Sequence, residues 1–212
     1  MSYTFEFFRQ FRRQFHTTGS IAPSSRWLAR SLAGPFMRRE QNRPVRLLEI
    51  GPGTGAVTRE LVLHVKPDDT FDLVELNDSF VEILNRRFAH ESDFKNIAAQ
   101  SKIFHGMLQD FPADNPYDFI VSGLPLNNFD PDLVRRIFDK YFELLAPGGV
   151  LSYFEYMYVR PIRKRISRGN ERDRIHRLDA IIAPHLDRHC IRRESVLRNF
   201  PPAWVQHLQP KS

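Results

Sequence analysis

Only one cysteine, Cys190, occurs in 212 residues. That scarcity excludes an internal disulfide framework and a cysteine-based zinc site, and it makes a reducing compartment the natural setting. Long apolar runs are missing as well. Nothing approaches the ~20 residues needed to span a bilayer, and the phenylalanines near the start are interrupted by Arg9, Arg12 and Arg13, unlike a signal-peptide core. The expectation is a chain on the cytoplasmic side that neither crosses a membrane nor is exported by that route. Acids are outnumbered, 25 against 31 lysines and arginines, for a net charge of +6 and a pI near 9.7. Such a balance points to an anionic partner, either nucleic acid or an acidic membrane surface, without choosing between them. The length suits one α/β domain with short extensions.

Two phosphate-binding signatures are also absent. The stretch Leu47-Leu48-Glu49-Ile50-Gly51-Pro52-Gly53-Thr54-Gly55 runs an apolar strand into a turn of alternate glycines. It is neither the Gly-x-Gly-x-x-Gly of dinucleotide folds nor the Gly-Lys-Ser/Thr loop of nucleotide triphosphatases. Glycine removes the Cβ that keeps a ligand from the main chain and permits positive φ. Glu49 would repel a pyrophosphate but can meet an amino-acid ammonium group. Twenty-four residues after Gly51, a second strand, Phe71-Asp72-Leu73-Val74-Glu75, ends in an acid, the spacing at which α/β folds hold a ribose diol. An adenosine carrying an amino-acid tail satisfies both acids.

On these residues, stretch 45–157 resembles the class I S-adenosylmethionine-dependent methyltransferases. The resemblance implies a Rossmann-like α/β fold: a mostly parallel seven-stranded sheet with helices on both faces, a closing antiparallel hairpin, and here an N-terminal amphipathic helix. It also implies a cofactor site at Glu49, Gly51, Pro52, Gly53, Thr54, Gly55, Glu75 and Leu76. His105-Gly106-Met107-Leu108-Gln109-Asp110 would flank the adenine, with Met107 packed on the base and the Leu108 main chain reading its edge. No metal is required.

The alternation predicts strands at 45–50, 70–75, 102–105, 117–122 and 150–157, with helices near 56–65, 78–88 and 93–100. Asp130-Pro131 opens a helix whose buried stripe is Leu133, Val134, Ile137, Phe138, Tyr141, Leu144 and Leu145. A helix near 175–184 and strands near 188–198 and 204–208 close the sheet. His185 and His189 lack the glutamate of a zincin motif, and both read as structural.

Two domain-level parts follow: residues 1–44 as a cofactor- and membrane-facing extension, and 45–212 as the methyltransferase domain. Within 3–16, Phe7, Phe8, Phe11 and Phe15 share roughly a 100° arc of a helix opposite Arg9 and Arg13, with Arg12 nearby. That helix either packs on the core or lies in a membrane surface. Pro23 can open a second helix with Ser24 or Ser25 as its cap, and both serines are also cofactor-contact candidates. The Gly19-Ser20, Pro23-Ser24-Ser25 element resembles that of bacterial phospholipid N-methyltransferases.

Ser122-Gly123-Leu124-Pro125-Leu126-Asn127-Asn128-Phe129 occupies the place of the Asp/Asn-Pro-Pro-Tyr motif of amino-group methyltransferases but departs from it. The Gly-Leu-Pro-x-Asn-Asn-Phe string is similar to the phospholipid enzymes. That resemblance implies N-methylation of phosphatidylethanolamine at the inner face of the cell membrane. Ser122 and Gly123 would touch cofactor, Asn127 and Phe129 substrate, and Asn128, Glu155 and Tyr156 would act in catalysis. Arginines 163, 165 and 168 would hold the phosphodiester, unless the basic run 160–177 is a solvated face. An rRNA adenine methyltransferase and a non-catalytic lipid-surface module are the alternatives; RNA would explain only the charge.

Overall fold

The structure is a computed structural model and describes residues 25–40, 43–112, 114–157 and 169–210. Helix α1 spans Arg26–Met37, strand β1 Arg46–Ile50, α2 Thr58–Val62, β2 Thr70–Glu75, α3 Asp78–His90 and α4 Ser92–Lys95. These are followed by β3 Ser101–His105, β4 Tyr117–Ser122, α5 Pro131–Leu144, β5 Leu145–Tyr156, α6 Asn170–His189, β6 Cys190–Val196 and β7 Ala203–Leu208. The seven strands lie in the order β3-β2-β1-β4-β5-β7-β6. The first five are parallel, and β7 runs antiparallel between β5 and β6. A central apolar strand in such a sheet is covered on both faces, and β1 shows how. Leu47 joins the cluster under α1–α4, whereas Leu48 and Ile50 join the cluster under α5 and α6, because successive side chains point to opposite faces.

Ser25 begins α1 by accepting the Leu28 N–H at 3.2 Å, which satisfies one of the free donors of a helix start. Leu28, Ala29, Leu32, Ala33 and Phe36 are buried against the sheet, so this part of the 1–44 extension shares the core of the domain. Phe36 meets Phe119 edge-on, with ring centroids 5.6 Å apart. Since Phe119 lies near the start of β4 and Ser25 binds the loop that precedes β7, the α1 N-terminus sits at the carboxyl edge of the parallel strands.

Asp130 caps α5 through the Asp132 N–H at 2.9 Å, Pro131 follows, and the whole predicted stripe from Leu133 to Leu145 is buried. Each such side chain contributes about 1.5–3 kcal/mol. Three boundaries differ from expectation. Strand β5 begins at Leu145 rather than 150, taking in Pro147-Gly148-Gly149 at a register break between the Tyr117–Leu145 and Phe119–Val150 pairs. Helix α2 is only five residues long. Helix α6 runs straight through Pro184; Pro184 is exposed, and the next turn is held by His185, stacked on Phe138 and Phe142 at 4.7 and 4.9 Å, and by His189 at 5.1 Å from Phe142. Both histidines are thus packing residues, as the missing zincin glutamate implies. Cys190 is free and exposed.

Among the described residues no helix is long and apolar enough to cross a membrane. Phe7, Phe8, Arg9, Phe11, Arg12, Arg13, Phe15, Ser24, Arg163, Arg165 and Arg168, to which the sequence assigns membrane, cofactor or substrate roles, lie outside the described residues.

Candidate active site

The carboxyl ends of β1, β2, β4 and β5 bring together most of the residues that the sequence singles out. The glycine turn is held from two sides. Gly51 donates to the Val74 carbonyl at 2.9 Å, and Gly123 donates to Ile50 at 2.8 Å. The three glycines do different work. Gly51 has φ +66°, and a Cβ there would lie 2.6 Å from Leu124; a Cβ on Gly123 would lie 2.5 Å from the Gly51 carbonyl. Those two positions serve close packing between loops. Gly55, φ +82°, packs on Leu84 and Thr58. Gly53, φ +58°, would meet nothing within 4 Å, so it is the glycine that leaves bare main chain open to a ligand. Buried Pro52 accepts from Gly55 N–H at 2.9 Å, and Thr54 beside them is half-buried.

Glu49 is 1% exposed, beside Thr58 at the start of α2, and its Oε2 has no hydrogen-bond partner. Burial pushes its carboxyl up to about 8; Thr58 opposes the shift and the charge of Glu75 adds to it. A buried acceptor without a donor costs free energy, and a ligand ammonium would supply both the donor and the charge. Glu75 is also buried and raised by burial, but it is occupied by main chain. One oxygen accepts Gly53 N–H at 3.0 Å, the other Leu76 N–H at 2.9 Å and Asn77 N–H at 2.8 Å. A carboxylate has about four acceptor positions. Glu75 therefore fastens the glycine turn to β2 and keeps room for about one further donor, such as one hydroxyl of a diol. Half-buried Met107 precedes a short turn that begins with buried Leu108.

Ser122 corrects one expectation. Its hydroxyl is fully buried on the α5 side, 2.5 Å from the Tyr141 hydroxyl, and accepts Leu124 N–H at 3.3 Å. Only its main chain remains for a cofactor. Phe129 corrects another: it belongs to the cluster under α5 and is 0% exposed, so its ring packs the core instead of offering a face to a substrate amine. Tyr156 and Glu155 point to opposite faces, since Glu155 accepts the Tyr153 hydroxyl at 3.1 Å while Tyr156 meets Phe154 edge-on at 5.2 Å. Burial raises the Tyr156 hydroxyl above its ordinary value near 10, so it stays protonated and cannot take a proton from an amine at neutral pH. The buried carboxylate of Glu155 is therefore the stronger candidate acceptor.

Asn127 is 3% exposed, and neither its Nδ2 nor its Oδ1 has a hydrogen-bond partner. Asn128, half-buried, follows in the same turn, which packs against β5. Arg174 of α6 grips this loop by its main chain, donating to the Asn127 carbonyl at 3.3 Å and the Phe129 carbonyl at 3.0 Å, while Arg177 pairs with Asp132 at 2.7 Å. These two members of the basic run thus have structural work. Sequence reasoning missed Thr58, Leu124 and Tyr141 as supports of the site. The one available signal was that Thr58 opens the helix after the glycine turn.

Residues 47–149 match the family described as "Methyltransferase domain". The ornithine lipid N-methyltransferase of Singulisphaera acidiphila is 31% identical over 153 residues, covering 72% of this chain and 78% of that protein. The crystal structure of the O-methyltransferase TomG from Streptomyces achromogenes, in complex with S-adenosylmethionine, shares the fold with a TM-score of 0.60 at 18% identity, covering 87% of this chain and 79% of that one. The chain belongs to the class I S-adenosylmethionine-dependent methyltransferases, and S-adenosylmethionine is its cofactor. Ribosomal RNA small subunit methyltransferase A of Pseudomonas fluorescens is 30% identical over 127 residues; this chain spans 41% of that protein's length.

The residues present fit that cofactor. Glu49 offers an orphaned buried carboxyl to its ammonium group, Gly53 an open main-chain approach, and Glu75 an acceptor at the end of β2.

Proposed function

We propose that the protein methylates a lipid-borne primary amine, phosphatidylethanolamine foremost, at the cytoplasmic membrane surface. The observation that carries this reading is Asn127: a buried side-chain amide without a partner, in the loop where the acceptor of an amino-group methyltransferase binds. Buried polar groups are almost always satisfied, so an orphan here is accounted for by a substrate that brings its own donors. An amine does so. The name of the Singulisphaera relative, which specifies an N-methylated lipid, supports the lipid class.

When bound, the cofactor supplies an electrophilic methyl group. The chain's own residues must deliver a neutral amine in line with it, and removing the encounter entropy is the larger part of that task. An amine with a pKa near that of lysine, ~10.4, costs about 4–5 kcal/mol to deprotonate at neutral pH. Asn127 Oδ1 would accept one N–H and aim the lone pair but cannot take a proton. Glu155, at the end of β5, is the proton acceptor in this scheme, directly or through water. The half-buried Tyr156 ring would face the cationic product.

The test offers labelled cofactor with vesicles of phosphatidylethanolamine, with ornithine lipid, and with small-subunit rRNA, read by mass spectrometry. Methylated phosphatidylethanolamine is expected. Methylation of ornithine lipid alone would move the acceptor within the lipid class, and of rRNA adenine alone would replace the reading with the RNA one, which the 30% identical rRNA relative and the net charge of +6 favour.

A further inference from the structure

The most exposed large apolar side chains among the described residues are Phe200, at 89%, and Leu197, at 68%. Both stand on the tip of the β6–β7 hairpin, and neither belongs to the site described above. The tip is not loose. Asn199, between them, is 6% exposed; its Oδ1 accepts the Ser25 N–H at 3.1 Å and its Nδ2 donates to the Pro201 carbonyl at 2.7 Å. The Pro202 carbonyl accepts Met157 N–H at 2.7 Å, and Val196 and Ala203 are buried at the hairpin base. A phenylalanine and a leucine are therefore held in water by a loop that is itself well anchored, where a collapse onto the surface would lower their exposure.

The surroundings show what the tip fits. Trp27, at the α1 N-terminus tied to this loop, carries the Arg26 guanidinium 4.8 Å and the Arg198 guanidinium 4.9 Å from its ring centroid. Among the described residues neither arginine has a carboxylate partner. Aromatic and aliphatic tips flanked by arginines are the composition of a surface that enters the headgroup boundary of a bilayer with anionic lipid. An ordinary protein contact would also cover apolar side chains, but it gives no reason for two unpaired cations beside them. The hairpin also opens at the carboxyl edge, the edge on which the site lies.

We propose that the Leu197–Phe200 tip, with Trp27, Arg26 and Arg198, is a docking surface for an anionic lipid bilayer. Its purpose, to present the site to a headgroup, rests on the lipid-acceptor reading; the binding itself does not.

The test compares the full chain with its Leu197→Ser/Phe200→Ser variant in co-sedimentation with vesicles of phosphatidylcholine with and without phosphatidylglycerol. Burying these two side chains is worth roughly ten- to a hundred-fold each at most, so vesicle affinity of the variant is expected to fall about ten-fold or more. Affinity for S-adenosylmethionine by calorimetry stays unchanged, as does turnover of a short-chain phosphatidylethanolamine dispersed as monomers. In a Trp204→Phe chain, Trp27 is the one tryptophan left, and its emission should shift to the blue with anionic vesicles. Equal sedimentation of both chains with Trp27 emission unmoved overturns the proposal, and so does binding of an RNA oligonucleotide, in place of vesicles, through the same two residues. A ten-fold difference in vesicle binding by chains that methylate no lipid upholds the docking surface and removes the acceptor reading.

Discussion

At the amino edge of the sheet Asp69 receives Arg39 at 2.5 Å, Val45 N–H at 3.0 Å and Lys66 N–H at 2.8 Å, and Arg39 also donates to the His64 and Phe36 carbonyls. Asp72 takes the Tyr117 hydroxyl at 2.6 Å, and Asp118 takes Arg43 and the Arg46 N–H. The carboxylates named there are matched, and the unpartnered buried atoms among the described residues at this edge include the Arg39 and Arg46 Nε and His189 Nδ1. At the carboxyl edge, Glu49 Oε2 and both polar atoms of Asn127 are buried without partners. Both edges belong to the same strands and the same core. The difference teaches that one end of the sheet is finished by its own residues, while the other is finished by what it binds.

The largest break in this comparison is expected from Arg39→Met. Arg39 and Asp69 are 3% and 1% exposed in their side chains, and removing one partner of a buried pair typically costs about 3–5 kcal/mol. Denaturant unfolding should show a loss on that scale, with cofactor affinity of the folded fraction unchanged. A loss below about 1 kcal/mol would mean the pair is not the closure it resembles.

Asn127→Ala should do the opposite. With no partner to lose, stability should hold or rise slightly, while kcat falls about 100-fold, the scale of a misplaced reactant, and cofactor affinity stays put. A variant that unfolds more easily yet turns over normally would make Asn127 structural.

Glu49 gives a pH signature. Below about 8 its carboxyl is mostly protonated, so affinity for S-adenosylmethionine should rise by up to about ten-fold per pH unit towards 8 and then level off. Glu49→Gln should flatten that profile. The same shift has a stability consequence of fixed sign. The folded value lies above the ordinary 4.5, so the folded state holds the proton more tightly, and stability of the ligand-free protein falls as pH rises from about 4.5 through about 8. Thermal unfolding of the two proteins across that window checks it; parallel curves would show that Glu49 ionises normally.

The smallest effect belongs to Ser122→Ala, which removes a buried bond to Tyr141. About 0.5–1.5 kcal/mol of stability should go, with cofactor affinity intact; a large affinity loss would restore the hydroxyl to the site.

Much of this was legible in the sequence because it is local. The strand–glycine–helix run, the Asp130-Pro131 start and the α5 stripe each follow from periodicity and capping within a few residues. What was not legible depends on distant partners. The sequence pattern starts the fifth strand at 150, yet the Tyr117 pairing draws Pro147-Gly148-Gly149 into β5. The pattern places a helix near 175–184, yet α6 continues past Pro184, with His185 and His189 stacked on α5. Phe129 reads as a binding aromatic, but its depth is set by α5 and by Arg174 from 45 residues away. In the same way, no spacing rule separates Gly53, which faces open space, from Gly51, which faces Leu124.

Arg174 holds the 126–129 loop through two carbonyl oxygens, those of Asn127 and Phe129. Every residue type carries a carbonyl, so a substitution at Asn127 or Asn128 leaves this clamp in place, whereas Leu126 and Phe129 are also fixed by the core. Under the proposed reading, those two asparagine positions are where selection, or a designer, can retune the acceptor one side chain at a time while the loop keeps its path.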